Sequence, residues 1–195
     1  MVIKEVSFLT AAVNPRGYPP PGPPEIAFAG RSNVGKSSLL NTLVGRRRLA
    51  RVSSRPGRTQ QINFFSLNRD ALRLVDLPGY GFAKVPKEVK AGWQKMVEDY
   101  LTGRPSLAGV VVILDIRRQP SQEDLMLLDF LDAYRIPVVI AVTKADKLSN
   151  NQRASRLAKL KPILETYDPE FIPFSATKRL GRERLWQRLL QLAEA

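Results

Sequence analysis

Residues 30–38, GRSNVGKSS, follow the apolar run EIAFA and fit the pattern G-x-x-x-x-G-K-[ST]. Gly30 and Gly35 frame the segment, so its backbone can wrap closely and point successive N–H groups at an anion. The loop residues Arg31, Ser32, Asn33 and Val34 would form the wall of that cradle, with Lys36, Ser37 and Ser38 opening the next helix. Its Lys36 ammonium can reach a β- or γ-phosphate, its Ser37 hydroxyl can ligate Mg²⁺, and the positive end of the helix dipole faces the same anion.

Four further segments carry chemistry only in combination with that loop. Strand-like LRLVDL ends in DLPGYG, in which Asp76, Leu77, Pro78 and Gly79 make D-x-x-G. The Asp76 carboxylate can hold Mg²⁺ through water, and Gly79 lets its own N–H approach a terminal phosphate. PVVIAV ends in Thr143, Lys144, Ala145 and Asp146, about 110 residues after the phosphate loop. A carboxylate there can accept from guanine's N1–H and exocyclic amine together, a donor pair adenine lacks, while the Lys144 stem lies along the base. FIPFSA brings Phe174, Ser175 and Ala176, the last two offering backbone to the base carbonyl. Thr59, the only threonine between residues 43 and 101, can close on Mg²⁺ when a γ-phosphate is present, with Ser53 and Ser54 weaker substitutes. Lys36, Thr59 and Gly79 are thus the residues assigned to the reacting phosphoryl group.

The elements that position these loops follow from hydrophobic rhythm. IAFAG, INFFSL, LRLVDL, GVVVILDI, PVVIAVT and FIPFSA alternate with segments of helical period, which predicts an α/β sheet with the chemistry beyond the strand ends. Only the short turn NRDA separates INFFSL from LRLVDL, so those two should pair antiparallel within an otherwise parallel six-stranded sheet. VIKEVSF is a candidate extra edge strand. Six of the 15 prolines fall in the first 24 residues, predicting an extended lead-in over 1–24 ahead of one domain over 25–195.

Composition narrows the chemistry. With no Cys and no His, thiol nucleophiles, thiolate zinc sites, imidazole bases and disulfides are excluded, so hydrolysis must rest on a metal and on positioning. No apolar run approaches the length of a membrane span, and Lys4 and Glu5 interrupt the first apolar stretch, so a cytoplasmic protein with no membrane partner is expected. The net charge of +13 calls for a polyanionic partner. RRRLARVSSRPGR puts six arginines, Arg46, Arg47, Arg48, Arg51, Arg55 and Arg58, into 13 residues, and Lys178, Arg179 and Arg182 form a second cluster. Both are candidate RNA contacts.

In order and spacing, GRSNVGKSS, PGRTQ, DLPGYG, TKAD and FSA resemble the bacterial YihA/EngB/YsxC family, within the TrmE-Era-EngA-YihA-septin-like P-loop GTPases. The resemblance spans about residues 22–195, with LPGYGFAKV and GRSNVGKSSLLN its most specific pieces. It implies a Ras-like three-layer α/β/α fold, GTP or GDP with Mg²⁺, and Ser37, Thr59 and Asp76 at the metal. It also implies nucleotide contacts at Gly30 to Ser37, at Gly57, Arg58, Thr59, Gln60 and Gln61, and at the three later motifs. By the same resemblance the protein is expected to be a monomeric switch in large ribosomal subunit assembly, needed for normal cell division and septation.

Asn33 stands where related potassium-stimulated GTPases help hold a monovalent cation, which makes K⁺ a candidate second cofactor. Two departures from the wider Ras pattern matter. Tyr80 stands where a water-orienting glutamine is usual, so unaided turnover should be slow, and Thr143 replaces the usual Asn of N-K-x-D. The other readings are a GTP-sensing RNA-binding clamp with negligible turnover, and a P-loop small-molecule kinase or ATPase.

Overall fold

A computed structural model describes residues 3–46, 49, 61–81, 87–168 and 170–194. Among these, seven strands form one sheet in the order β1-β3-β4-β2-β5-β6-β7. The strands are β1 (Val6–Ala12), β2 (Glu25–Gly30), β3 (Ile62–Leu67), β4 (Leu72–Asp76), β5 (Leu107–Asp115), β6 (Val138–Thr143) and β7 (Ile172–Pro173). Five helices pack on it: α1 (Lys36–Val44), α2 (Lys87–Gly103), α3 (Gln122–Ala133), α4 (Asn150–Leu164) and α5 (Arg182–Glu194). α2, α3 and α4 cover one face around Tyr100, Leu128 and Leu164, while α1 and α5 cover the other around Leu39, Leu43 and Leu189. The strands at the centre, β2 and β5, are buried on both faces and accordingly read as continuous apolar runs.

β3 pairs antiparallel with both β1 and β4, and every other pairing is parallel, which makes β3 the one reversed strand. The turn that reverses it runs through Asn68, Arg69 and Asp70, all with positive φ. Asn68 offsets part of that strain by accepting the N–H groups of Lys4 and Glu5 on its side-chain oxygen, at 2.8 and 3.2 Å. The same contact fixes where the edge strand begins. β1 therefore starts at Val6 rather than across VIKEVSF, because the two preceding N–H groups are taken by a side chain.

The proline-rich segment is not extended throughout, since a 3₁₀ turn over Pro15–Gly17 is capped by Asn14. FIPFSA contributes only two strand residues, Ile172 and Pro173, at the edge of the sheet, where a proline is tolerated. Phe174 still donates to the Val142 carbonyl at 2.8 Å, so its chain stays beside β6.

At the amino end of β2, Glu25 is fully buried and binds both oxygens into a charged cluster. Arg104 grips it with two nitrogens, Tyr100 donates at 3.0 Å, and Arg73 approaches at 3.3 Å while also donating to Pro20 O. The carboxyl ends of β2, β4, β5 and β6 lie at the opposite pole, and the site is built there.

Candidate guanine-nucleotide site

The phosphate loop leaves β2 at Gly30 and enters α1 through Gly35, whose φ of +108° is a left-handed conformation that a Cβ would strain. Beside it, the last residues of DLPGYG continue the sheet pairing past β4. Arg31 and Tyr80 form a parallel bridge, with Tyr80 N–H donating to Gly30 O at 3.3 Å and Ser32 N–H to Tyr80 O at 2.9 Å. At the mouth of the loop the Lys36 ammonium is paired with the Asp76 carboxylate, both side chains 12% exposed. A partly buried cation and anion thus meet at the mouth of the loop.

The base side is braced from beneath. The Thr143 hydroxyl is shared between the carbonyls of Val34, at 2.6 Å, and Leu114, at 3.0 Å, and so ties the end of β6 to the phosphate loop. Lys144 adopts a left-handed φ of +60° and lays its ammonium on Asn33 O and the Asp115 carboxylate, at 2.8 and 2.9 Å. Burial pushes the Asp115 carboxyl up, yet hydrogen bonds from Arg117 and Lys144 outweigh it and hold the group well below the usual carboxylate range.

Asp146 accepts the Ser175 hydroxyl at 2.7 Å, and that bond, ahead of weaker effects, holds its carboxyl below the ordinary value. Ser175 spends its own N–H on Leu180 O, at 3.1 Å. Of the two residues expected to offer backbone to the base, Ala176 therefore keeps an N–H with no partner among the described residues. Phe174 accepts from the Ala145 N–H at 3.1 Å, which draws TKAD and FSA into one wall.

A family model described as 50S ribosome-binding GTPase matches residues 25–144. A relative from Geobacter metallireducens, a probable GTP-binding protein EngB, is 53% identical over 189 residues, spanning 97% of this chain and 92% of its own length. One of the same name from Trichlorobacter lovleyi is 52% identical over 196 residues, spanning 100% and 98%. The chain belongs to the EngB family of GTP-binding proteins. The crystal structure of a probable GTP-binding protein engB matches with a TM-score of 0.67 and 31% identity, covering 87% of this chain and 98% of that one. The protein is thus a P-loop GTPase of Ras-like fold, and nothing in these matches favours the kinase or turnover-free readings.

Thr59 lies outside the described residues, as do Gly57, Arg58 and Gln60, while Gln61 is exposed just before β3. Of the basic groups assigned to RNA, Arg47, Arg48, Arg51 and Arg55 also lie outside them; Arg46, Lys178 and Arg179 are exposed. Arg182 is different. Its guanidinium donates to the carbonyls of Thr42 and Leu43, both at 2.8 Å, closing the carboxyl end of α1 together with the Trp186 indole N–H.

Three residues escaped the sequence reading. Asp115 ends the buried strand GVVVILD at the pole where ligands bind, a signal that was present. Asp124 is buried and joins Ser121 in a capping box, legible as S-x-x-D. Glu123 beside it stands 3.9 Å from Arg31 of the phosphate loop.

Proposed function

We propose that this EngB-family GTPase acts as a nucleotide switch in large ribosomal subunit assembly, as a cytoplasmic monomer whose GTP form docks on the particle and whose GDP form leaves. A role in cell division and septation would follow from that assembly step. The observation that carries the reading is the match over 25–144 to a family described as 50S ribosome-binding, on a chain of net charge +13. Among the described residues no helix is long and apolar enough to cross a membrane.

In this reading Asp146 accepts from guanine N1–H and the exocyclic amine, supported by Ser175, and Ala176 N–H meets the base carbonyl. Lys144 lies along the base, held by Asp115. The backbone from Gly30 to Ser38 and the Lys36 ammonium hold the phosphates, and Gly79 N–H faces the terminal one. Gly57 to Gln61 close over them from the arginine-rich loop.

The family's general Mg²⁺ requirement fits these residues, because such a site needs oxygen donors only. Asp76 supplies one carboxylate and Ser37 one hydroxyl at the start of α1, with Thr59 as the proposed third ligand. When bound, Mg²⁺ neutralises charge developing on the β- and γ-phosphate oxygens. The protein's own part is to fix the phosphates and keep Lys36 against them. Asn33, with a positive φ two residues before Gly35, is the proposed K⁺ contact. Turnover should then be faster in K⁺ than in Na⁺ at equal ionic strength, and equal rates would remove the ion.

The switch is tested by sedimentation with large subunits or their precursors, with GDP and with a non-hydrolysable GTP analogue, over a salt series. Binding should favour the analogue and weaken steeply with salt, since each neutralised phosphate releases counterions. Replacing Arg46, Arg47 and Arg48 by Ala should flatten the slope by up to about three units. Binding indifferent to nucleotide would overturn the switch. An undiminished slope would move the contact to Lys178 and Arg179.

A further inference from the structure

The phosphate loop contains a hydroxyl that the fold does not use. Ser32 Oγ is buried and has no hydrogen-bond partner among the described residues, one of only two such side-chain atoms among them. Most buried hydroxyls in folded proteins are paired, because leaving one unpaired costs stability. An exception inside a ligand-binding loop points to a partner that arrives with the ligand.

The loop's backbone sharpens the assignment. Ser32 N–H donates to Tyr80 O at 2.9 Å, so at this position the main chain is already spent on holding DLPGYG against the loop. The hydroxyl is the only donor Ser32 has left. It lies against Gly79, since a Cβ built on that glycine would stand 3.1 Å from Ser32 Oγ and 3.3 Å from the Ser32 N and Cα. Any side chain at 79 would therefore press on the serine. Gly79 belongs to the D-x-x-G that approaches the terminal phosphate of a nucleoside triphosphate. In the proposed site a hydroxyl against Gly79 would therefore lie beside that phosphate.

We propose that Ser32 Oγ–H is a donor reserved for the terminal phosphoryl group, raising affinity for the triphosphate relative to the diphosphate. The inference rests on the guanine-nucleotide site described above. It gives the Ser32 side chain a role distinct from the backbone cradle, which serves both nucleotides. A hydrogen bond to a charged oxygen is among the stronger ones, and it is available only when the γ-phosphate is present.

The test compares affinities for GDP and for a non-hydrolysable GTP analogue in the full-length wild type, Ser32→Ala and Ser32→Gly, all with Mg²⁺. Both substitutions remove an oxygen that bonds to nothing in the described fold, and the Gly variant stands in if the Ala variant does not fold. Affinity for the analogue should fall about tenfold relative to that for GDP in both variants. An unchanged ratio, or equal losses for the two nucleotides, would overturn the assignment. Failure of the site itself looks different: the wild type would then bind neither guanine nucleotide.

Discussion

The Tyr80 hydroxyl donates to the Asp124 carboxylate at 2.7 Å, joining the residue after D-x-x-G to the first turn of α3. Asp124 also receives the Ser121 N–H and hydroxyl, at 2.7 and 2.8 Å, so the tyrosine completes a buried cap rather than facing the reacting phosphate. Tyr80→Phe should therefore cost about 1 kcal/mol of stability in a denaturant titration. Single-turnover GTP hydrolysis should change by less than about threefold. A hundredfold loss would show that the hydroxyl takes part in the chemistry after all.

The same burial bears on how the fold should respond to alkali. Desolvation, and next the Asp124 charge, raise the Tyr80 phenol far above its ordinary value; desolvation and then Glu25 do so for Tyr100. Tyr18 is pushed up to about 12, by burial first and by Asp99 next. A raised folded-state value means these phenols add stability that is whole below pH about 10 and declines as pH rises above it. Tyrosine absorbance near 295 nm should therefore show these three of the five tyrosines ionising together with unfolding. Ionisation of all five near pH 10 in a chain still folded by circular dichroism would contradict it.

In the proposed site Asp146→Asn turns one acceptor oxygen into a donor facing guanine's donors, so GTP affinity should fall by about 2 kcal/mol while xanthine nucleotides gain. Ser175→Ala removes the hydroxyl that steadies Asp146 and should cost about 1 kcal/mol of guanine affinity without that gain. Competition titration with XTP separates the two, and an unaltered GTP-over-XTP preference in Asp146→Asn would unseat the base contact.

Lys36→Ala leaves the Asp76 carboxylate without its cation and, in the proposed site, removes the counter-charge for the phosphates. Nucleotide affinity should fall by at least about tenfold while the far-ultraviolet spectrum stays that of the folded sheet. Hydrolysis at the wild-type rate would refute the role.

At the other pole, Glu25→Gln withdraws the negative charge that two buried arginines share. Arg73 and Arg104 have side chains 7% and 5% exposed, so water cannot take its place. The loss should be about 3 kcal/mol in chemical unfolding. A shift below about 0.5 kcal/mol would mean that Asp70, already paired with Arg73, carries the balance instead.

Much of the site was legible because a nucleotide loop demands particular residues at fixed intervals. GRSNVGKSS and DLPGYG needed only glycines, a lysine and a carboxylate at strand ends, and hydrophobic rhythm located those ends. The Thr143 brace, the Ser175 support of Asp146 and the Arg182 cap were not legible. Each joins residues 29 to 140 positions apart through a side chain whose type suits many surfaces. Arg182 shows the difficulty plainly, since in sequence a guanidinium that caps a helix looks the same as one that meets RNA. The start of β1 was misplaced for a similar reason, the deciding acceptor being Asn68, more than 60 residues away.

The edge strand has a consequence for how separate copies of the chain behave. β3, INFFSL, has four apolar residues of six, is uncharged and free of proline, and its outer row of N–H and C=O groups is paired only with β1. Stripped of that cover, it would be a template for strands of other molecules, the kind of segment that seeds ordered aggregates. β1 makes a poorer template itself, because its pairing slips between Phe8 and Thr10 and breaks the regular edge. Those seven residues, Val6–Ala12, thus cover an edge that would otherwise lie open to the strand of a second molecule.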